Sequence, residues 1–168
     1  MIVSIVIQII GMIGTVFYFL SYQFKDTKTL FKVQFISYSF YTVHFFLLGA
    51  TTGAVSYAVD LLKCSFLSSS NNEFHKNKYC LIICILQILV GIITWNGYVS
   101  LLPIIANVVL TIGNYTYDEN IIRYSGLLVN SPLWLIHNAL VGSLAGVIDE
   151  VITMLSIGLS LIRFRKNH

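Results

Sequence analysis

The chain reads as a succession of long apolar stretches into which polar residues are admitted singly. Seven of them reach or approach the roughly 20 mostly apolar residues that a helix needs to cross about 30 Å of hydrocarbon. They run from Ile2 to Tyr22, Leu30 to Leu48, Thr51 to Leu67, Tyr79 to Thr94, Val99 to Asn114, Ile121 to Leu140 and Ser143 to Phe164. Only short turns separate them, and the breaks between the second and third and between the sixth and seventh are nearly absent. Pro103 falls in the first turn of the fifth, where a missing N–H is tolerated. The expected fold is an all-α polytopic membrane protein with seven transmembrane helices. The first stretch has no Lys or Arg ahead of it, so it is expected to be a span rather than a cleaved leader.

Composition sharpens this. Of 168 residues, 57% are hydrophobic and 10% charged, where a soluble domain carries about 25% charged residues. A soluble helical protein is thereby excluded. The net charge of +3 is one-sided rather than large. With seven spans, all ten basic residues fall on one face: Lys25, Lys28, Lys32, then Lys63, Lys76, Lys78, then Arg123, then Arg163, Arg165 and Lys166. The other face receives GATTG, WNG and GSLAG, with none. The positive-inside rule then puts the N-terminus outside and the C-terminus in the cytoplasm. Such a distribution argues orientation and speaks against nucleic-acid binding.

An internal echo divides the chain. HFFLLGATTGA begins at His44, and HNALVGSLAGV begins at His137. His44, Gly49 and Gly53 match His137, Gly142 and Gly146 at a constant offset of 93 residues. That offset equals four spans, an even number, so the two copies point the same way through the membrane. A 3+1+3 parallel repeat follows. Residues 1–67 form a first three-helix half, 68–97 a polar loop and linker helix, and 98–168 a second half, within a single membrane domain, 1–168. Parallel repeats are a transporter plan with solute sites near the midplane between the halves.

The stretch LWLIHNALVGSLAGVIDE, followed later by GLSLIRF, resembles the second half of the bacterial inner-membrane YgjV-type family. HFFLLG resembles its first-half counterpart. Trp134, His137, Asn138, Gly142, Ser143, Gly146, Glu150, Arg163 and Phe164 each sit at matching positions. The resemblance covers most of the chain and implies residence in the inner membrane; it brings no activity with it. More remotely, SYQFKDTKTL resembles the PQ-loop of SWEET-type sugar carriers. Gln23 matches there, while Tyr22 stands where that family has proline. This second resemblance implies an architecture and not a function.

Several residues could carry chemistry. Asp60 lies near the middle of the third span, where an aspartate costs about 2.5–3.5 kcal/mol on insertion. With Lys63 three residues on, it forms a local pinning pair or contributes to a site. The offset carries Glu150 onto Tyr57, one turn from Asp60 on the same face. Two acids could therefore converge on one cavity, suiting proton coupling or recognition of a cation or hydroxyl, unless Glu150 is an interfacial carboxylate. Asn130 and Trp134 share a face, and their first-half counterparts are Ser37 and Tyr41. With Asn107 and Gln34, these offer an aromatic wall and a few amides for a small polar ligand; as interhelical glue they would need no ligand. His44 and His137 are expected to cap free carbonyls at their helix ends, or to act with Gln23 as a proton-sensitive gate.

Cys64, Cys80 and Cys84 imply no disulfide framework, and with His75 they lack zinc-site spacing. SSSNNEFHKNK is expected to be a linker. The absence of any nucleophile–base, metal or nucleotide motif argues against an enzyme and against a cofactor. The expected function is a small-solute carrier or facilitator, with a non-transporting accessory or scaffold protein as the alternative. The expected partners are the bilayer and a small polar solute, no nucleic acid, with self-association left open.

Overall fold

A computed structural model describes residues 2–47, 49, 51–69, 76–95, 97–140 and 144–165. Among them the chain is all-helical: α1 (Ile2–Ser21), α2 (Thr27–Leu47), α3 (Thr51–Ser69), α4 (Lys76–Ile93), α5 (Leu101–Asn114), α6 (Glu119–Ser125), α7 (Ser131–Leu140) and α8 (Leu144–Arg165). A short 3₁₀ turn, Tyr98–Ser100, leads into α5. Helices α6 and α7 are one rod, joined without a break by a π-helical segment, Gly126–Asn130. Seven rods therefore stand where seven apolar stretches were expected.

Local chemistry sets the ends. Asp26 precedes α2, and its Oδ2 accepts from the Thr29 N–H at 2.8 Å and from the Thr29 hydroxyl at 2.6 Å. Those bonds hold its carboxyl below the usual carboxylate range. This N-cap starts α2 three residues before Leu30, so Lys28 lies within the helix rather than ahead of it. Asp118 caps α6 in the same way, accepting from Asn120 and Ile121 N–H groups at 2.8 and 2.9 Å. Just before it, Tyr117 adopts φ +57°, a left-handed residue in the tight turn out of α5.

The π segment has a cause in Pro132. Proline cannot donate to the carbonyl four residues back, and its ring crowds that carbonyl. The rod widens instead, and the Ser131 N–H reaches the Gly126 carbonyl, five residues away.

Each rod packs on its neighbours in sequence: α1 on α2, α2 on α3, α3 on α4, α4 on α5, α5 on the α6–α7 rod, and α7 on α8. Contact between α8 and α1 closes the circuit. Thus α2 packs on both α1 and α3, and the α6–α7 rod packs on both α5 and α8. The buried cluster inside is rich in tyrosine, with Tyr18, Tyr22, Tyr38, Tyr41 and Tyr115 beside Leu30, Phe31, Cys64, Leu67, Ile122 and Ile157.

Among the described residues no helix is, taken alone, long and apolar enough to cross a membrane. The rods mix apolar and polar positions, and the mixture is sorted by direction. In α8, Ile148, Val151, Leu155, Leu159 and Ile162 are exposed at helical spacing, while Thr153, Ser156 and Ser160 are buried. In α2, Phe35, Ile36, Val43 and Phe46 face outward, and Gln34 and Ser37 face inward. An apolar exterior around a polar interior reverses the order of a water-soluble bundle.

Candidate functional site

Asp149, on the first turns of α8, reaches across to α1 and α2. Its Oδ1 accepts from the Thr15 hydroxyl at 2.8 Å and the Tyr41 hydroxyl at 3.0 Å. Those two hydroxyl oxygens are themselves 2.8 Å apart. The cluster pins the closing contact between the two ends of the chain. Tyr41 can enter it because Gly14 leaves room: a Cβ there would sit 3.2 Å from the Tyr41 ring. On its other face, Tyr41 stacks against Tyr57 at 4.9 Å between ring centres, and Phe45 stacks on Tyr57 at 5.2 Å.

Tyr57 lies within electrostatic reach of Asp149, Glu150 and Asp60. Glu150 has the Ser131 hydroxyl beside it, too loosely placed to count as a hydrogen bond. It also stands within electrostatic reach of Tyr22. Glu150 and Tyr57 are 93 residues apart, the offset of the histidine–glycine echo.

Asp60 belongs to a separate chain of contacts. Its Oδ1 accepts from Lys63 Nζ at 2.6 Å and from Gln87 Nε2 at 3.2 Å. Gln87 Oε1 in turn accepts from the Thr111 hydroxyl at 2.9 Å. All four side chains are buried, and Lys63, only 1% exposed, does not snorkel to an interface but lies over the Tyr38 ring. The network ties α3 to α4 and α5, so the fourth rod contributes a buried amide to the interior.

The amide and aromatic residues do not gather at one point. Trp134 Nε1 donates to Asn107 Oδ1 at 3.0 Å, a bond from α7 to α5. The Ser37 hydroxyl donates to the Gly14 carbonyl at 2.8 Å, a bond from α2 to α1. Gln34 is fully buried, and its Nε2 has no partner among the described residues. Asn130 Nδ2, at the end of the π segment, and Ser131 Oγ are likewise buried and unpartnered there.

The histidine expectation needs correcting. His44 Nδ1 bonds the Ile7 carbonyl at 2.8 Å, in the second turn of α1, not a carbonyl at the end of its own helix. The reason is the absent side chain at Gly11: a Cβ there would lie 2.9 Å from the imidazole. His137 packs edge-on against Trp134 at 5.4 Å, and its Nδ1 has no hydrogen-bond partner among the described residues. Gln23 sits at the opposite end of the bundle from His44, and its Nε2 donates to the Ser156 carbonyl and hydroxyl, both at 3.0 Å.

Arg123, counted above as an end charge, is buried instead. Its guanidinium donates to Ser160 Oγ at 3.0 Å and to the carbonyls of Glu119, Tyr22 and Phe24 at 2.8, 3.2 and 2.7 Å. It also lies over the Phe164 ring.

The glycine pairs have matching surroundings. A Cβ on Gly53 would sit 2.6 Å from the Phe45 ring, and one on Gly146 would sit 2.6 Å from the Asn138 amide. Phe45 and Asn138 are themselves 93 residues apart. In the same way, Tyr41 packs on Gly14 and Trp134 bonds Asn107, again at that offset. Gly142 and His75 lie outside the described residues.

The two most developed concavities are at one end of the bundle. One, of about 530 Å³, is open and lined by Lys25, Asp26, Thr27, Tyr117 and Glu119. The other, of about 230 Å³, is lined by Lys32, Phe35, Ser65 and Ser68. Neither includes Asp149, Glu150 or Asp60. Among the described residues no three His, Cys, Asp or Glu side chains group as metal ligands. Thr15, Asp149, Gln87 and Arg123 were missed as interior residues by sequence reasoning. A polar residue recurring on one face of an otherwise apolar stretch was the available signal. A family model described as bacterial inner membrane protein, Imp-YgjV, matches residues 5–168. No curated protein and no solved structure matches the chain.

Proposed function

We propose that this chain, which belongs to the Imp-YgjV family of bacterial inner membrane proteins, carries a small polar solute across that membrane through the interior of its ring of helices. The seven rods are its spans, in a 3+1+3 arrangement with the N-terminus outside and the basic residues toward the cytoplasm. The inward turn of polar side chains and the apolar outer faces support the spans. The paired Gly53–Phe45 and Gly146–Asn138 approaches support the repeat. The arrangement described is a closed one, with the seam between α8 and the α1–α2 pair held by Asp149.

The observation that supports the reading is the cluster of Asp149, Thr15 and Tyr41, with Tyr57 stacked on Tyr41 and within electrostatic reach of Asp149, Glu150 and Asp60. Ionisable groups inside a membrane are expensive and mark solute or ion paths. Glu150 and the unpartnered Asn130 and Ser131 beside the π segment are the groups assigned to the solute. Tyr41, Tyr57 and Tyr22 supply aromatic faces and hydroxyls suited to a cation or a hydroxylated molecule. Trp134, Asn107 and Ser37 hold the walls.

Counterflow in liposomes tests this, using a panel of small sugars, polyols and organic cations. Glu150→Gln is expected to abolish flux of the responding solute while insertion is unchanged. Transport by the variant at the wild-type rate would remove Glu150 from the path.

A second reading, an accessory or scaffold protein, is favoured by the Asp60–Lys63–Gln87–Thr111 network, whose groups satisfy one another. It predicts no flux with any solute and one stoichiometric partner on crosslinking in cells.

A further inference from the structure

The contacts around Asp149 can be counted in protons. Three oxygens form a triangle: Thr15 Oγ1 to Asp149 Oδ1 at 2.8 Å, Tyr41 Oη to Asp149 Oδ1 at 3.0 Å, and Thr15 Oγ1 to Tyr41 Oη at 2.8 Å. Each distance is that of a hydroxyl hydrogen bond, and each side needs a hydrogen between its oxygens. Threonine brings one and tyrosine brings one. An ionised carboxylate brings none. If both hydroxyls donate to Asp149, their own oxygens face each other at 2.8 Å with nothing between. If one donates to the other, Asp149 loses a donor. The Gly11 carbonyl, 3.4 Å from Thr15 Oγ1, competes for the same hydrogen and deepens the deficit.

We propose that Asp149 holds a proton in this closed arrangement, and that Thr15, Tyr41 and Asp149 together form a proton-binding site. The third hydrogen, on the carboxyl Oδ1, completes the triangle as a ring: Thr15 donates to Asp149, Asp149 donates to Tyr41 and Tyr41 donates to Thr15, so the bond between Tyr41 and Asp149 runs from the carboxyl. The surroundings agree. Thr15 faces Asp149 from α1, Tyr41 from α2, and the electrostatic neighbours are Tyr57 on α3 and Glu150 on α8 itself. None of these is a cation. His44, one turn along α2 from Tyr41, is engaged with Ile7 on α1. On α7, His137 packs against Trp134. The ion pairs among the described residues join Lys25 and Arg123 to Glu119 and Lys63 to Asp60, and leave Asp149 out.

The site lies on the seam between the two ends of the chain. Were α8 to part from α1 and α2, Asp149 would meet water and release its proton there, and closing the seam would take one up again. Proton movement is thereby tied to opening. Its use to drive a solute rests on the carrier reading above, whereas the proton count does not.

Infrared difference spectroscopy of the purified protein in lipid nanodiscs separates the two. At neutral pH the wild-type protein is expected to show a protonated-carboxyl stretch that Asp149→Asn removes and Glu150→Gln retains. Tyr41→Phe, which keeps the ring stack and the carboxyl, is expected to shift that band, and it serves if Asp149→Asn fails to accumulate. A spectrum unaltered by either Asp149→Asn or Tyr41→Phe overturns the proposal. A band that behaves as expected in a protein with no solute flux would leave the proton site standing and remove the carrier.

Discussion

Arg123 Nη2 donates to the Phe24 carbonyl at 2.7 Å, so a buried cation on α6 closes off the chain where it leaves α1. The same guanidinium reaches Tyr22, Glu119 and Ser160, and four acceptors depend on it. Arg123→Met would leave Glu119 without its buried partner and two carbonyls past α1 unsatisfied. Glu119 is partly exposed and keeps Lys25, so the cost is mainly that of the unsatisfied carbonyls, about 1–3 kcal/mol each. The expected result is a loss of that order in unfolding titrations in mixed detergent micelles, with Arg123→Lys recovering part of it. A variant as stable as wild type would mean that water replaces the guanidinium.

The Asp60–Lys63 pair is expected to behave as a unit. Each single neutral variant, Asp60→Asn or Lys63→Met, strands a buried charge and should destabilise by about 3–5 kcal/mol. The double variant should cost markedly less than the sum, because neither charge is then left alone. A double-mutant cycle on the same unfolding assay reads this directly. Additive effects would show that the two groups do not depend on each other.

Gly53→Ala and Gly146→Ala are each expected to destabilise by about 1–3 kcal/mol, the usual cost of overpacking. Each new methyl would collide with a ring or amide on the preceding helix. Gly158→Ala on α8 meets open space within 4 Å and is the control. It should be neutral or stabilising by about 0.5–1 kcal/mol through helix propensity. Equal behaviour of all three would count against close helix approach at the two turns.

Trp134→Phe separates glue from ligand contact. The lost bond to Asn107 is worth about 0.6 kcal/mol by the average for interhelical bonds in membranes. A small stability change with intact flux is expected if the pair holds a wall. A collapse of flux at unchanged stability would move Trp134 into the solute path.

Much of the architecture was legible in order along the chain. Apolar stretches announce rods because the helices turn apolar faces outward, and the rods fall within a few residues of those stretches. The glycine echo was also readable, because close approach leaves no alternative residue. Partner choice was not. Asp149 lies next to Glu150, but the offset carries it onto Ser56, so nothing in the first half drew notice to it. Thr15 is one hydroxyl in a long apolar run, and its importance appears only when α8 returns to α1. Arg123 carries a charge that sequence counts correctly; which way that charge turns depends on carbonyls 99 to 101 residues away. Pro132 drew no reading: Pro103 stands in a first turn, where proline is tolerated, whereas Pro132 lies inside a rod and widens it.

Orientation gives a further check. A thiol at Tyr98→Cys, an exposed position in the turn before α5, should react with an impermeant reagent in intact cells. One at Thr27→Cys, at the start of α2, should react only after lysis. The reverse pattern would invert the protein in the membrane.

The rod from Glu119 to Leu140 stores one surplus residue in its wide turn. Returning that turn to ordinary winding would rotate everything beyond it by about 100°, the angle of a single residue. Trp134, His137 and Asn138 would swing together onto new neighbours. The π segment thus gives the rod a means of re-indexing a whole face by local rewinding, without unfolding.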